Sequence, residues 1–446
     1  MEFKDSNIDW VSQIPVDWTV RKLKYILTER IEKNNPIKTR DVLSLTAVQG
    51  VVPYSEKKAS GGNKQKEDLS NYKLAYPNDI VVNSMNIVTG SVGLSNYYGC
   101  VSPVYYMFYT DDDKININYY NYIFKSRIFQ RRLIGFGNGI LQMTSEAGNL
   151  YAVRMKIPID KFKSLLLPVP PIETQNDIVN YLDDKTIFID EIIEKYKKLT
   201  QILEEKRAVL INQVVTKGLN LNVSMKNSNI EWIGEIPNNW EIRKFGHLIK
   251  LITKGATPTS YGFDFLDEGI NFIKIESIAK NGKFIQSKFN YISEECNNFL
   301  TRSKMKEGDL LFSIAGALGR VAIVNSEILP ANTNQALSII RLNNDYLLTE
   351  YAFYALKANY VLHQIDDNMV QSAQANLSME SIREFKLLIP PIHEQKEIIK
   401  FLNKETEKID DTLTKIKENI DLLYEYKTSL IHHAVTGKID VRGREI

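Results

Sequence analysis

Residues 6–23 of the chain, SNIDWVSQIPVDWTVRKL, return as residues 228–245, SNIEWIGEIPNNWEIRKF, with nine of eighteen positions identical. Residues 170–220 return without a gap as residues 390–440, with seventeen of fifty-one identical. The offsets are 222 and 220, so the blocks between the repeats, 24–169 and 246–389, are nearly equal in length at 146 and 144 residues. Those blocks look little alike. A constant frame carrying two divergent inserts holds two different surfaces in one fixed geometry.

The second repeat carries the strongest local signal. Ile178, Leu182, Ile189, Ile192, Tyr196, Leu199, Leu203 and Leu210 recur every three or four residues, broken only by Lys185 and Lys206. This is the stripe of a long helix that must be covered by a partner. The second copy runs through Ile398, Leu402, Ile409, Leu413, Ile416, Ile420, Leu423 and Leu430. Pro170–Pro171 and Pro390–Pro391 precede the two helices, and Gly218 and Gly437 follow them. These are the residues expected at a helix start and stop. Each helix is expected to span about 45 residues, roughly 65 Å at ~1.5 Å per residue. The expected pairing is of the two copies with each other, antiparallel, about an internal pseudo-twofold axis. Dimerisation with another chain is the alternative.

The inserts read as α+β. IVVNSMNIVTGSVGLSN and LLFSIAGALGRVAIVN are apolar runs broken by glycine and turn residues, which predicts tightly joined strands. Each follows an aspartate closing a turn, Asp79 in one and Asp309 in the other. Helices are expected over 116–134, with a basic end at Arg127, Arg131 and Arg132, and over 346–362.

Composition is that of an ordinary globular protein, with 43% hydrophobic and 25% charged residues. No stretch approaches the ~20 apolar residues of a membrane span, and nothing near Met1 resembles a secretory signal. Cys100 and Cys296 lack metal-ligand spacing and read as reduced core thiols. A cytoplasmic location and no membrane partner are expected. Net charge is only +2, but block 24–169 has 19 Lys+Arg against 12 Asp+Glu, whereas block 246–389 has 14 against 15. On charge alone the first insert is the better partner for a polyanion.

Catalytic motifs are missing. There is no Asn/Asp-Pro-Pro-Tyr/Phe stretch of an amino-methyltransferase and no Gly-x-x-x-x-Gly-Lys-Ser/Thr loop for ATP. Gly135, Gly137 and Gly139 lack a strand–turn–helix context. His432–His433 sits near a helix end, where an imidazolium would suit the dipole, without the spacing of a metal site. No catalytic residue and no metal ligand is expected, which is the profile of a recognition or scaffold protein.

Polar loop residues suited to base edges and phosphates are plentiful. In the first insert they are Asn83, Ser84, Asn86, Asn138 and Gln142. In the second they are Lys254, Thr257, Ser260, Arg320, Asn332, Asn334, Gln335, Gln374 and Asn376. Asn and Gln can bond adenine bidentately, and Arg or Lys can bond guanine. The same residue types also fill ordinary loops.

Over essentially its whole length the chain resembles the specificity subunit of a type I restriction-modification system. The resemblance rests on the paired Trp-x-x-x-Ile-Pro-x-x-Trp segments (Trp10 to Trp18, Trp232 to Trp240) and the Pro-Pro-Ile-x-x-Gln helix starts (Pro170 to Gln175, Pro390 to Gln395). It rests also on the heptad helices and the helix end Val435-Thr436-Gly437. One departure is Thr174, where the second copy has Glu394.

The resemblance implies four segments: a target-recognition domain at 1–169, a helix at 170–220, a second target-recognition domain at 221–389, and a helix at 390–446. Each recognition domain would read half of a bipartite, asymmetric site in double-stranded DNA. The antiparallel coil would set their separation. Two methyltransferase (modification) subunits would methylate adenine N6 with S-adenosylmethionine, and two motor-nuclease (restriction) subunits would use ATP and Mg. No cofactor would be bound by this chain. A coiled-coil scaffold without DNA specificity, and the recognition subunit of a methylation-only system, are the alternatives.

Overall fold

A computed structural model of the chain describes residues 2–46, 49–57, 67–139, 155–220, 222–372 and 376–442. The chain divides into two compact units, Met1–Tyr196 with Glu418–Ile446, and Lys197–Lys417. The division falls inside the two long helices, Ile172–Lys217 and Ile392–Val435, not at their ends. Each unit therefore holds one insert, its flanking repeat and a half of each helix.

The helices have 46 and 44 residues and run antiparallel within each unit. In the first unit Lys427 Nζ lies 2.6 Å from Asp190 Oδ1, and Asn419 Nδ2 lies 3.4 Å from the Tyr196 hydroxyl. In the second unit Arg207 is paired with Asp410. These two ion pairs occupy matching positions of the repeat, each 220 residues from its counterpart. Arg207 stands within the apolar seam of the second unit, where a charged residue specifies register.

The seam departs from the expected one in its detail. Ile193 is buried in place of Ile192, and Leu199 is 40% exposed. The run Ile189, Ile193, Tyr196, Thr200, Leu203, Arg207, Leu210 and Val214 keeps alternating steps of four and three, so the stripe stays on one face without a shift. The buried stripe therefore runs one residue later than the expected one from Ile193 onward at three positions, with Ile193, Thr200 and Arg207 in place of Ile192, Leu199 and Lys206.

Each insert is built on a four-stranded antiparallel sheet. The first has the order Thr28–Arg30, Tyr105–Tyr109, Ile80–Asn83, Val92–Leu94. The second has Ile249–Lys254, Leu337–Leu342, Leu310–Ser313, Val321–Ile323. The same spatial order under unlike sequences confirms that the inserts share a plan. The expected helix over 116–134 is broken at Ser126, whose extended backbone (φ −64°, ψ 124°) separates Ile117–Lys125 from Arg127–Arg132. That over 346–362 is likewise two helices, Thr349–Ala355 and Asn359–Ser372.

The repeated motifs are the joints between insert and helix. Gln175 and Gln395 are fully buried. Gln175 Oε1 accepts from the Asn116 amide at 2.8 Å, and its Nε2 donates to the Pro170 carbonyl at 2.8 Å. Gln395 repeats this with the Leu348 amide at 2.9 Å and the Pro390 carbonyl at 2.8 Å. One side chain thus ties the insert's helical region to the start of a long helix, satisfying backbone groups that burial would otherwise strand. At the other helix end, Gly437 has φ +72°, and a Cβ there would lie 2.6 Å from Pro15 and 2.9 Å from Trp18. The Ile-Pro-x-x-Trp segment therefore packs where only glycine fits.

The departure at Thr174 has a visible consequence. In the second unit the buried Trp240 indole donates to Glu394 Oε2 at 2.8 Å, while Asn239 donates to the other carboxylate oxygen. In the first unit Trp18 is equally buried, but its indole N–H has no acceptor among the described residues. Asp17 stands where the second copy has Asn239, so a carboxylate at 174 would meet a like charge. Thr174→Gln supplies a neutral acceptor for Trp18 and a donor for Asp17. It is expected to raise the stability of the first unit by about 1 kcal/mol in denaturant unfolding. No gain would show that the orphan indole carries no cost.

Both cysteines are buried, and burial pushes the Cys100 thiol up to about 11. The His432 side chain is buried beside Lys438 and His433, and burial first, then the Lys438 charge, pushes it down to about 4. It is neutral at pH 7 and does not complement the helix dipole as a cation.

Candidate nucleic-acid interface

The loops that leave the central sheet form the same edge in both inserts. In the first, the Ser84 carbonyl accepts from the Ile157 amide at 2.9 Å, and Asn83 N–H donates to the Ser91 carbonyl at 3.0 Å. In the second, the Ile314 carbonyl accepts from the Leu377 amide at 2.9 Å, and Ser313 N–H donates to the Arg320 carbonyl at 2.9 Å. Each edge thus joins the turn after a buried strand to the segment that leads into the closing helix of the insert.

The structure divides the sequence-derived candidates by what their side chains already bond. Ser84 is 1% exposed, and its hydroxyl donates to the Val104 carbonyl at 2.7 Å. Asn332 is fully buried, with its amide on Asn297 Oδ1 and the Leu300 carbonyl. Arg320 directs its guanidinium inward to the carbonyls of Ile275 and Ile278. These three side chains hold the insert together and are turned away from a surface ligand. Asn83 and Asn334 accept from the amides two residues on, at Met85 and Ala336, which shapes their turns.

Asn86, Asn138, Lys254, Ser260, Gln335 and Asn376 are exposed. Thr257 donates to Gln335 Oε1, which joins the two loops of the second edge. Gly255 lets those loops meet: a Cβ there would stand 1.8 Å from the Thr333 carbonyl oxygen. Gln142 and Gln374 lie outside the described residues.

The structure adds cations that the candidate set had omitted. Arg127 and Arg131 are exposed on the short helix Arg127–Arg132, and Lys156 is exposed where its backbone pairs with Asn138. That helix packs against the turn Ile87–Thr89, which follows Asn86. The basic end of 116–134 was visible in the sequence. Its placement beside Asn86 was not, because some forty residues separate them in the chain. Among the described residues no three His, Cys, Asp or Glu side chains gather as a metal site, and no helix is long and apolar enough to cross a membrane.

A family model described as type I restriction modification DNA specificity domain matches the chain twice, at residues 15–204 and 237–422. The chain belongs to that family. It carries two such specificity domains, and their limits follow the duplicated frame.

The putative type I restriction enzyme MjaX specificity subunit of Methanocaldococcus jannaschii is 23% identical over 97% of this chain and 96% of its own length. The MjaVIII specificity subunit of the same organism is 24% identical over 64% of the chain, and that match spans 65% of the relative's length. The EcoBI specificity subunit of Escherichia coli is 23% identical over 72% of the chain and 67% of its own length.

Among solved structures, a chain from work on complex assembly and conformational transition of the type I R-M system superposes with a TM-score of 0.68. It is 12% identical and covers 96% of this chain and 99% of that one. The HsdS subunit from Thermoanaerobacter tengcongensis gives 0.50 at 14% identity, over 96% and 98%. At these identities the structures support the fold. The specificity-domain match supports the family.

Proposed function

We propose that this chain is the non-catalytic DNA-reading subunit of a type I restriction-modification complex, each specificity domain reading one half of a bipartite, asymmetric site in double-stranded DNA. The observation that carries this reading is the double specificity-domain match on a frame whose two inserts differ in sequence and in charge. Unlike surfaces read unlike half-sites. The first edge, with Arg127, Arg131 and Lys156 beside Asn86 and Asn138, takes the larger share of phosphate contact. The second, with Lys254, Ser260, Gln335 and Asn376, relies on polar groups.

In this reading the antiparallel helices set the spacer between half-sites, as protein geometry sets half-site spacing generally. They also serve as the frame for two modification subunits and two motor-nuclease subunits. Exposed apolar side chains support such docking: Ile187 and Phe188 are each 59% exposed on the first helix and Leu422 60% on the second. S-adenosylmethionine, ATP and Mg belong to those partners, and methylation falls on adenine N6.

The test is methylome sequencing of a host free of other such systems, expressing the modification subunit with and without this chain. N6-methyladenine at one split, non-palindromic motif, present only with this chain, is the expected result. Methylation that is symmetric, or unchanged by the chain, would overturn the reading.

A further inference from the structure

In the second unit a hairpin loop of the insert is bonded into the helix pair. Asp410 of the second long helix accepts from Arg207 of the first through one carboxylate oxygen. Its other oxygen accepts from Asn281 Nδ2 at 2.9 Å and lies 3.4 Å from Lys283 Nζ. Lys280 Nζ, on the same loop, lies 3.3 Å from Glu204. The loop is held from the insert side as well. Lys357 donates to the Asn281 carbonyl at 3.1 Å and lies over the Phe353 ring. Gly282 has φ +92°, and a Cβ there would stand 2.5 Å from the Phe353 ring and 2.8 Å from the Val321 carbonyl oxygen. Burial, and the nearby Arg207, hold the Lys357 ammonium down to about 8.

The duplicated frame supplies the comparison. The matching pair in the first unit, Asp190 with Lys427, has side chains 56% and 25% exposed, an ordinary surface ion pair worth little. Asp410 and Arg207 are 13% and 12% exposed. The frame therefore provides an ion pair in each unit, and only in the second is it enclosed. A partly buried carboxylate bonded by Arg207 and Asn281, with Lys283 in ion-pair range, holds its ligands in one arrangement far better than an exposed pair does.

We propose that Asn281, Lys283 and Asp410 form a latch that fixes the second specificity domain on the helix pair, making them positioning residues for the distance at which the second half-site is read. The proposal rests on the reading that the domains bind DNA. None of the three is among the residues assigned to the candidate DNA-reading edge.

The test uses the full chain expressed with its modification subunit, comparing wild type, Asp410→Asn, the double variant Asn281→Ala/Lys283→Ala, and Asp190→Asn as the matched control. Methylomes and thermal unfolding are both read. For the latch variants the bases of both half-sites are expected to persist, while methylated spacers spread by one base pair either way. Methylation of the wild-type site is expected to fall about tenfold to a hundredfold, the range for misplacement of about an ångström. Asp190→Asn is expected to keep the single spacer. A single spacer at the wild-type rate in the latch variants overturns the latch. Loss of all methylation together with a lowered Tm overturns it too, since that marks a purely structural role. Absence of any split motif with the wild-type chain would instead overturn the DNA-reading assignment.

Discussion

Asp309→Ala is expected to destabilise the second unit by about 3 kcal/mol, the lower end of the cost of breaking a buried ion pair. Asp309 is fully buried and takes two parallel bonds from Arg341, both at 2.7 Å, so the guanidinium is gripped at two points. The same carboxylate also accepts from the Lys306 amide at 2.8 Å, which closes the turn entering the strand Leu310–Ser313. Removal leaves a cation and an N–H without a partner beside a closed core. Arg341 is 26% exposed and can recover some hydration, which places the cost at the lower end. Against a typical stability of about 5–15 kcal/mol, a loss of this size is large. Urea unfolding of the variant and wild type measures it, and a change below about 1 kcal/mol would show that water replaces the aspartate. The first insert has the same device in Asp79 and Arg30, with bonds of 2.8 and 3.0 Å, and Arg30 lies between the rings of Tyr76 and Tyr109.

Deleting one heptad from each long helix, residues 196–202 and 416–422, is expected to abolish methylation of the original site. Seven residues at ~1.5 Å each remove about 10 Å, which is about three base pairs. Three base pairs also turn the duplex by about a quarter to a third of a turn, so the second half-site faces away. Equal deletions keep both the Asp190–Lys427 and the Arg207–Asp410 pairs in register, because the two helices run antiparallel and lose the same length. The product should therefore fold. Either a new motif with a shorter spacer or no motif at all is the expected methylome. An unchanged spacer would exclude the helices as the ruler.

Repeats and periodicity made the frame legible. The long helices lie within a residue or two of where proline, glycine and the heptad stripe placed them, because those signals act locally. Asp79 and Asp309 were legible as turn-closing residues from their position before an apolar run. Their arginine partners were not, since Arg30 and Arg341 lie 49 and 32 residues away.

Loop side chains were the least legible. Ser84, Asn332 and Arg320 have the same chemistry as Asn86, Gln335 and Lys254. A polar side chain suits a buried carbonyl as well as it suits a base edge. Burial decides between them, and burial depends on neighbours supplied by other strands. The seam shows a related effect: Thr200 holds the position that hydrophobicity alone would give to Leu199. Identity at one site says less about its facing than the unbroken four-three spacing does.

The sequence by itself determined the duplicated frame, the two long helices, the α+β inserts and the family, because each is written as repetition or period along the chain. Only the tertiary structure decided which polar groups are presented and which are consumed in the interior. It alone bound the loop at Asn281 to Asp410, 129 residues away. The reason is physical: a hydrogen-bond donor is indifferent to sequence distance, and its partner is whichever acceptor the packing brings within about 3 Å.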